Sequence, residues 1–224
     1  MGGRFGSVVT AMITAFTAEG ELDIAESVRL AKWLQEQGNE GLVIAGTTGE
    51  ASTMTDPERL ALFEAVVGAV TIPVIAGTGS NDTAHSVHLT KEASKLGVAG
   101  ILAQAPADFE VYSGDDGLTL PLLAVGAVGV IGVATHWSAP EHRRMMDAFF
   151  SGNVVEARRI NAALLESYAF ETGEEAPNPL PSKEMMKLHG FAVGDARLPM
   201  GAAPEWVAER ARVVKANIEL FRSR

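Results

Sequence analysis

Gly41-Leu42-Val43-Ile44-Ala45-Gly46-Thr47-Thr48-Gly49-Glu50 is an apolar run that stops at a glycine-flanked pair of threonines. The apolar part shows no polar alternation, as expected of a short strand buried on both faces. Glycines at 46 and 49 let the backbone come close to a bound group. Two hydroxyls and several amide N–H donors at the carboxyl end of a strand suit a small anion such as a carboxylate. The same letters also describe an ordinary glycine-rich strand-to-helix turn, although such loops are where α/β proteins place their sites. An amphipathic helix follows at Asp56-Pro57-Glu58.

The same unit recurs on both sides. Strands are expected at Ser7–Ile13, Gly41–Ala45, Ile72–Ala76, Gly100–Ala103, Phe109–Tyr112 and Val128–Val133. Helices are expected at Asp23 to Gln37, Asp56 to Val70 and Asp82 to Leu96, each opening on an Asp or a neighbouring Thr suited to capping. Strand and helix in alternation predict a parallel sheet or barrel. After the last strand only helices are expected: Pro140 to Phe150, Asn153 to Tyr168, Ser182 to His189 and Pro204 to Phe221, with the Pro-rich connector Ala176–Pro181 between two of them.

One joint breaks the rhythm. Between Ala103 and Phe109 lie only Gln104-Ala105-Pro106-Ala107-Asp108, whereas parallel neighbours need a crossover of about a dozen residues. Either these two strands form an antiparallel hairpin, or a piece of the pattern is missing here.

With 224 residues, 47% apolar and 21% charged, the chain has material for one sizeable core. A net charge of −10 argues against a surface for nucleic acid or an anionic membrane. The absence of cysteine excludes disulfides, thiolate catalysis and Cys-based metal sites. No signal-peptide pattern or long apolar span is visible, and the reading is a cytoplasmic protein.

Gly77–Asp82 before a helix could cradle a phosphate, but Asp82 at the cap position would repel it, which favours plain turn chemistry. Asp115 and Asp116 could be metal ligands alongside His136; a helix cap is the simpler reading of Gly114-Asp115-Asp116, and no metal is expected. His85 and His88 read as exposed helix residues. His136 at a strand end could act as acid or base, but with no carboxylate partner in view it reads as structural.

Thr10–Phe16, Gly46–Glu50, Pro73–Gly79, Tyr112–Asp116, Gly129–Ile131, Asn178–Lys183 and Arg197–Pro199 together resemble the dihydrodipicolinate synthase family of pyruvate-dependent class I aldolases, which also contains N-acetylneuraminate lyase. The resemblance runs in family order from end to end. It implies an α/β fold: a TIM barrel over residues 1–139, here lacking about two βα units and so six-stranded, followed by C-terminal helices over 140–224. It also implies Schiff-base condensation of pyruvate with aspartate semialdehyde in lysine biosynthesis, without a cofactor, in a homo-oligomer. By motif, Thr47 would belong to the proton relay, Thr48 and Gly49 would bind the pyruvate carboxylate, and the Ile131 backbone would line the pocket.

The family's relay tyrosines, substrate arginine and nucleophilic lysine all belong between positions matching Ala103 and Phe109, where this chain has none of them. The six lysines, Lys32, Lys91, Lys95, Lys183, Lys187 and Lys215, all fall on helices or at a helix start. None reads as the desolvated strand-end amine that imine chemistry requires. The expectation is a lyase-family chain without the lyase activity. The alternatives are a non-catalytic remnant that forms oligomers through its apolar faces, or a gene-model artefact. Unpaired strand edges at the joint predict low solubility.

Overall fold

The computed structural model describes residues 3–80, 82–102 and 110–223. Six short segments pair in one direction: β1 (Val8–Ala11), β2 (Gly41–Ile44), β3 (Val74–Gly77), β4 (Gly100–Leu102), β5 (Tyr112–Ser113) and β6 (Gly129–Gly132). Their order in the sheet is β4-β3-β2-β1-β6-β5, every pair parallel. All four residues of β2 and of β3 are buried, which explains why these strands carry no polar alternation.

Around the sheet run α1 (Ile24–Glu36), α2 (Asp56–Val67), α3 (Thr83–Ala93) and the short α4 (Thr119–Leu123); α5 (Thr135–Phe150), α6 (Val154–Glu171), α7 (Leu180–Leu188) and α8 (Glu205–Arg222) follow β6. The caps are those the sequence offers. Asp23 accepts from the Glu26 N–H, and Thr55 and Glu58 form a reciprocal capping box. The Asp82 carboxylate accepts from the Ala84 and His85 amides.

Several boundaries differ from expectation for local reasons. Helix α2 stops at Val67 because Gly68 follows, the residue with least to gain from helical order. Helix α3 tightens into a 3₁₀ turn at Ser94–Leu96 and ends on Gly97 at φ +78°. Helix α5 starts at Thr135, five residues before the expected Pro140, and bends at Ser138 (φ −130°), where Pro140 supplies no N–H and the Ser138 hydroxyl donates to the Ala134 carbonyl at 2.7 Å. This helix therefore runs across position 139. The expected strand ends Ala103 and Phe109, the loop Gln104-Ala105-Pro106 and Asn81 lie outside the described residues.

β4 and β5 stand at opposite edges of the sheet, parallel to the rest, so the chain does not adopt the hairpin alternative at the joint. The N-terminal segment reaches from one edge to the other. The Phe5 ring packs where a side chain at Gly100 would otherwise sit, 2.7 Å from its ideal Cβ. The Phe5 N–H donates to the Tyr112 hydroxyl at 3.2 Å, and the Arg4 N–H donates to the Glu110 carboxylate.

The two faces of the sheet build two apolar layers. Val9, Val43 and Ile75 form an inner one, against which Phe5, Tyr112 and Ile131 pack. On the other face Leu42, Ile44, Val74 and Ala76 join Leu30, Leu62 and Phe63 of the flanking helices, in a cluster continuous with Met145, Leu164, Met185, Val207 and Val214. The C-terminal helices thus share the core of the sheet. Among the described residues no helix is long and apolar enough to cross a membrane.

Candidate functional site

β2 ends in a sharp loop. Ala45 and Glu50, neither a glycine, both adopt left-handed backbone, at φ 48° and 57°, a conformation that costs about 1 kcal/mol and persists only where the surroundings impose it. Those surroundings are visible. Gly77 at the end of β3 lies directly under the turn, where a Cβ would fall 2.0 Å from the Ala45 carbonyl oxygen. The Gly49 carbonyl accepts from the Thr14 hydroxyl at 2.7 Å. Within the loop the Glu50 and Ala51 amides donate back to the Thr47 and Gly46 carbonyls. The Thr47, Thr48 and Gly49 amides have no acceptor among the described residues. Successive unpaired N–H groups in such a turn form a concavity suited to an anion.

The threonines face different ways. Thr47 is exposed and lines a cavity of about 600 Å³ with Gly46, Ser52, Arg59, Ser80 and His85. Thr48 is 5% exposed and turns inward, its Oγ1 accepting from Asn178 Nδ2 at 2.7 Å, while Asn178 Oδ1 accepts from the Ser182 hydroxyl at 3.2 Å. Thr48, Gly49 and Ile131 do not line that cavity. Ile131 lies on β6, two strands from the loop, and packs on the inner apolar layer.

Arg59 forms part of the cavity wall. Its Nη2 donates to the Ala51 carbonyl, while Nε and Nη1 have no protein partner among the described residues. Burial draws its pKa down from the usual value, and Asp56 pulls the other way. His85 is not the plain surface residue expected, for its Nε2 lies 2.8 Å from the Asp56 carboxylate and it borders the cavity.

The far end of the loop is held by a buried ion pair. Lys183 Nζ of α7 lies 2.9 Å from Glu50 Oε1, donates to the Asp195 and Val193 carbonyls at 3.0 and 3.3 Å, and sits 4.6 Å from the centre of the Phe16 ring. Glu50 Oε2 accepts from the Arg197 N–H at 2.8 Å. Burial lowers the Lys183 pKa, with Glu50 opposing.

His136 is fully enclosed, with Nδ1 donating to the Val133 carbonyl at 2.7 Å and Nε2 accepting from the Ile13 N–H at 3.2 Å. Burial drops its pKa to about 4. With both nitrogens committed, it is a structural histidine. Asp115 caps the 3₁₀ turn Asp116–Leu118, accepting from the Gly117 and Leu118 amides at 2.8 and 3.3 Å. Asp116 points inside, accepting from the Val133 N–H at 2.7 Å, with His142 Nε2 at 3.2 Å. It occupies the space a side chain at Gly132 would need. Among the described residues no group of three or more His, Asp or Glu is placed to hold a metal ion.

Asn178, Ser182, Lys183, Arg59, His142 and Glu171 carry contacts that the sequence reading did not assign. Asn178 and Lys183 stood inside a recognised motif; the partners they reach, Thr48 and Glu50, lie in another motif far away in the chain. Only tertiary structure joins them.

The model of the dihydrodipicolinate synthetase family matches the chain in two pieces, residues 4–107 and 101–216. Among curated relatives, 4-hydroxy-tetrahydrodipicolinate synthase 2 of Halalkalibacterium halodurans is 36% identical, covering 88% of this chain and 92% of its own. The synthase of Moorella thermoacetica is 35% identical over 288 aligned positions, covering 95% and 98%. Those 288 positions outnumber the 224 residues here, so that relative has residues without a counterpart. The two pieces of the family match meet at the joint where the strand rhythm breaks. Among solved structures, dihydrodipicolinate synthase of Bacillus anthracis superposes with TM-score 0.87 at 30% identity, covering 96% of this chain and 99% of that one. The Cyanidioschyzon merolae enzyme, solved with lysine bound, gives 0.89 at 29% identity, covering 96% and 99%. With its parallel sheet, its C-terminal helices and its Gly46–Glu50 loop, the chain belongs to the dihydrodipicolinate synthase family, in a shortened form.

Proposed function

We propose that this chain keeps the carboxylate-binding loop of its family, with pyruvate as ligand, and does not carry out the aldol condensation for which its relatives are named. The observation that carries this reading is the disposition of the lysines. An imine forms only when an unprotonated amine can reach a carbonyl carbon. Lys32, Lys91 and Lys95 are exposed and helical, and Lys187 and Lys215 lie on α7 and α8. Lys183 alone is desolvated, but its three N–H donors face Glu50, Val193 and Asp195, and it does not border the cavity beside Thr47.

In this reading the unpaired amides of Thr47, Thr48 and Gly49 and the Thr48 hydroxyl hold the carboxylate. Thr47, on the cavity side, is the residue left from the relay, while Ile131, on β6, stands apart from that cavity. Hydrogen bonds of this kind bind a ground state; without a covalent electron sink they do not stabilise the carbanion that aldol addition needs. The absence of cysteine is compatible with a reducing, cytoplasmic compartment. The test is incubation with pyruvate and borohydride followed by mass spectrometry. No adduct is expected, and a reduced pyruvyl adduct on any lysine would refute the proposal.

A further inference from the structure

A hydroxyl has one proton to give and two lone pairs to receive. At Thr48 one lone pair is taken by the Asn178 side-chain amide at 2.7 Å, which leaves the Thr48 proton free of that contact. Behind Asn178 stands Ser182, fully buried on the first turn of α7, with its hydroxyl 3.2 Å from Asn178 Oδ1. Both neighbours of the amide are hydroxyls, so the way the amide faces decides which way the protons run. With Nδ2 on Thr48, the relay runs from Ser182 through Asn178 and ends on a Thr48 proton that no protein group in this relay consumes. With the amide turned over, the Asn178 carbonyl would consume that proton, and Thr48 would offer a lone pair instead.

Resting on the reading of Gly46–Glu50 as the ligand loop, we propose that Asn178 is a positioning residue that fixes the Thr48 hydroxyl as a donor and thereby selects a ligand group that accepts hydrogen bonds, a carboxylate rather than an amide or ammonium. The unpaired Thr47, Thr48 and Gly49 amides are donors too, so the loop presents one polarity throughout. The Glu50–Lys183 pair and the Arg197 N–H hold its other end and keep it from retreating.

Asn178→Asp is nearly isosteric and still accepts from Ser182, but it offers Thr48 only an acceptor and captures the proton. Asn178→Ala merely releases Thr48. Pyruvate and its neutral analogue pyruvamide would be titrated into the ¹⁵N-labelled full chain of each form, alongside a melting curve. Pyruvate affinity is expected to fall about threefold in Asn178→Ala and more than tenfold in Asn178→Asp, with Asn178→Asp melting no lower than Asn178→Ala and wild type preferring pyruvate to pyruvamide. An Asn178→Asp loss no larger than that of Asn178→Ala, or equal affinity of wild type for the two compounds, overturns the proposal. A ligand-free readout separates this from the function itself. Overhauser contacts from the Asn178 amide protons to Thr48 support the orientation, and contacts to Ser182 alone refute it. If those contacts to Thr48 are present and wild type ignores pyruvate, the ligand reading falls and the donor orientation stands.

Discussion

Glu171 of α6 and Asp116 of the turn before α4 bring two carboxyl groups together beneath the start of α5, and Glu171 holds its proton up to about pH 10 because of burial and the Asp116 charge beside it. Burial also works against the Asp116 charge, but hydrogen bonding and charge from His142, with the Val133 N–H, outweigh it and keep that carboxyl below its ordinary range. Glu171 accepts from the Ala134 N–H at 3.1 Å and Asp116 from the Val133 N–H, so the pair clasps the β6–α5 turn.

This proton has a thermodynamic sign. An unfolded Glu171 loses it near its ordinary value of 4.5, whereas the folded one keeps it to about 10. Its stabilising contribution is therefore complete at acid pH and is lost steadily as pH rises through that window. Glu171→Gln keeps a donor for Asp116 and an acceptor for Ala134 without the titration. In urea unfolding the variant should match wild type near pH 5 and exceed it increasingly as the pH rises toward 9. A variant with the wild-type pH slope would show that Glu171 does not hold the proton.

Breaking the loop's anchor should be costly. Lys183→Met strands the Glu50 carboxylate, 5% exposed, without its cation. Leaving a buried charge unpaired costs about 3–5 kcal/mol. The double variant Lys183→Met/Glu50→Gln should recover more than half of that loss in urea unfolding. Additive losses would mean that the two side chains stabilise the fold independently.

His136 tests the choice between a structural and an acid–base histidine. Its pKa, lowered by burial from 6.5 to about 4, means that the unfolded chain takes up a proton first as pH falls. The stability this group contributes is present above about pH 6.5 and drains away toward about pH 4. NMR should find the His136 ring neutral, with the proton on Nδ1, throughout the range from about pH 5 to about pH 8. A titration midpoint near pH 6.5 would contradict the burial described above.

Strand edges carry the fourth expectation. Val111, 45% exposed, precedes β5, which pairs only with β6 among the described residues. Val111→Lys places a charge of the kind that blunts strand edges in natural sheets, and the soluble yield should rise severalfold. Sedimentation should show fewer large species in the variant. A wild-type chain that is already a soluble monomer with a single cooperative melt would remove the premise.

The order of strands and helices was legible because β2 and β3 are buried on both faces and read as unbroken apolar runs, and because Asp23, Thr55 and Asp82 cap in place. Helix ends were less so: Ser138 and Pro140 look like a start, yet the hydroxyl of Ser138 carries α5 through the bend. The loop at Thr47 and Thr48 stood out by its glycines. What stayed hidden were pairings across the chain, such as Thr48 with Asn178 and Asp116 with Glu171, since local spacing holds no record of which distant groups meet. His136 shows the same limit from the other side, its role being decided by Ile13 and Val133 rather than by its own letter.

The seat of Phe5 is made of chain that lies far from it in sequence. Phe5 finds the Tyr112 hydroxyl 107 positions downstream, so this contact closes only after the strands between the two have found their places. Closing so long a loop is slow by comparison with forming α1 or α2. The segment around Phe5 is thus among the last pieces to dock, and any delay before that moment leaves both margins of the sheet without their strap.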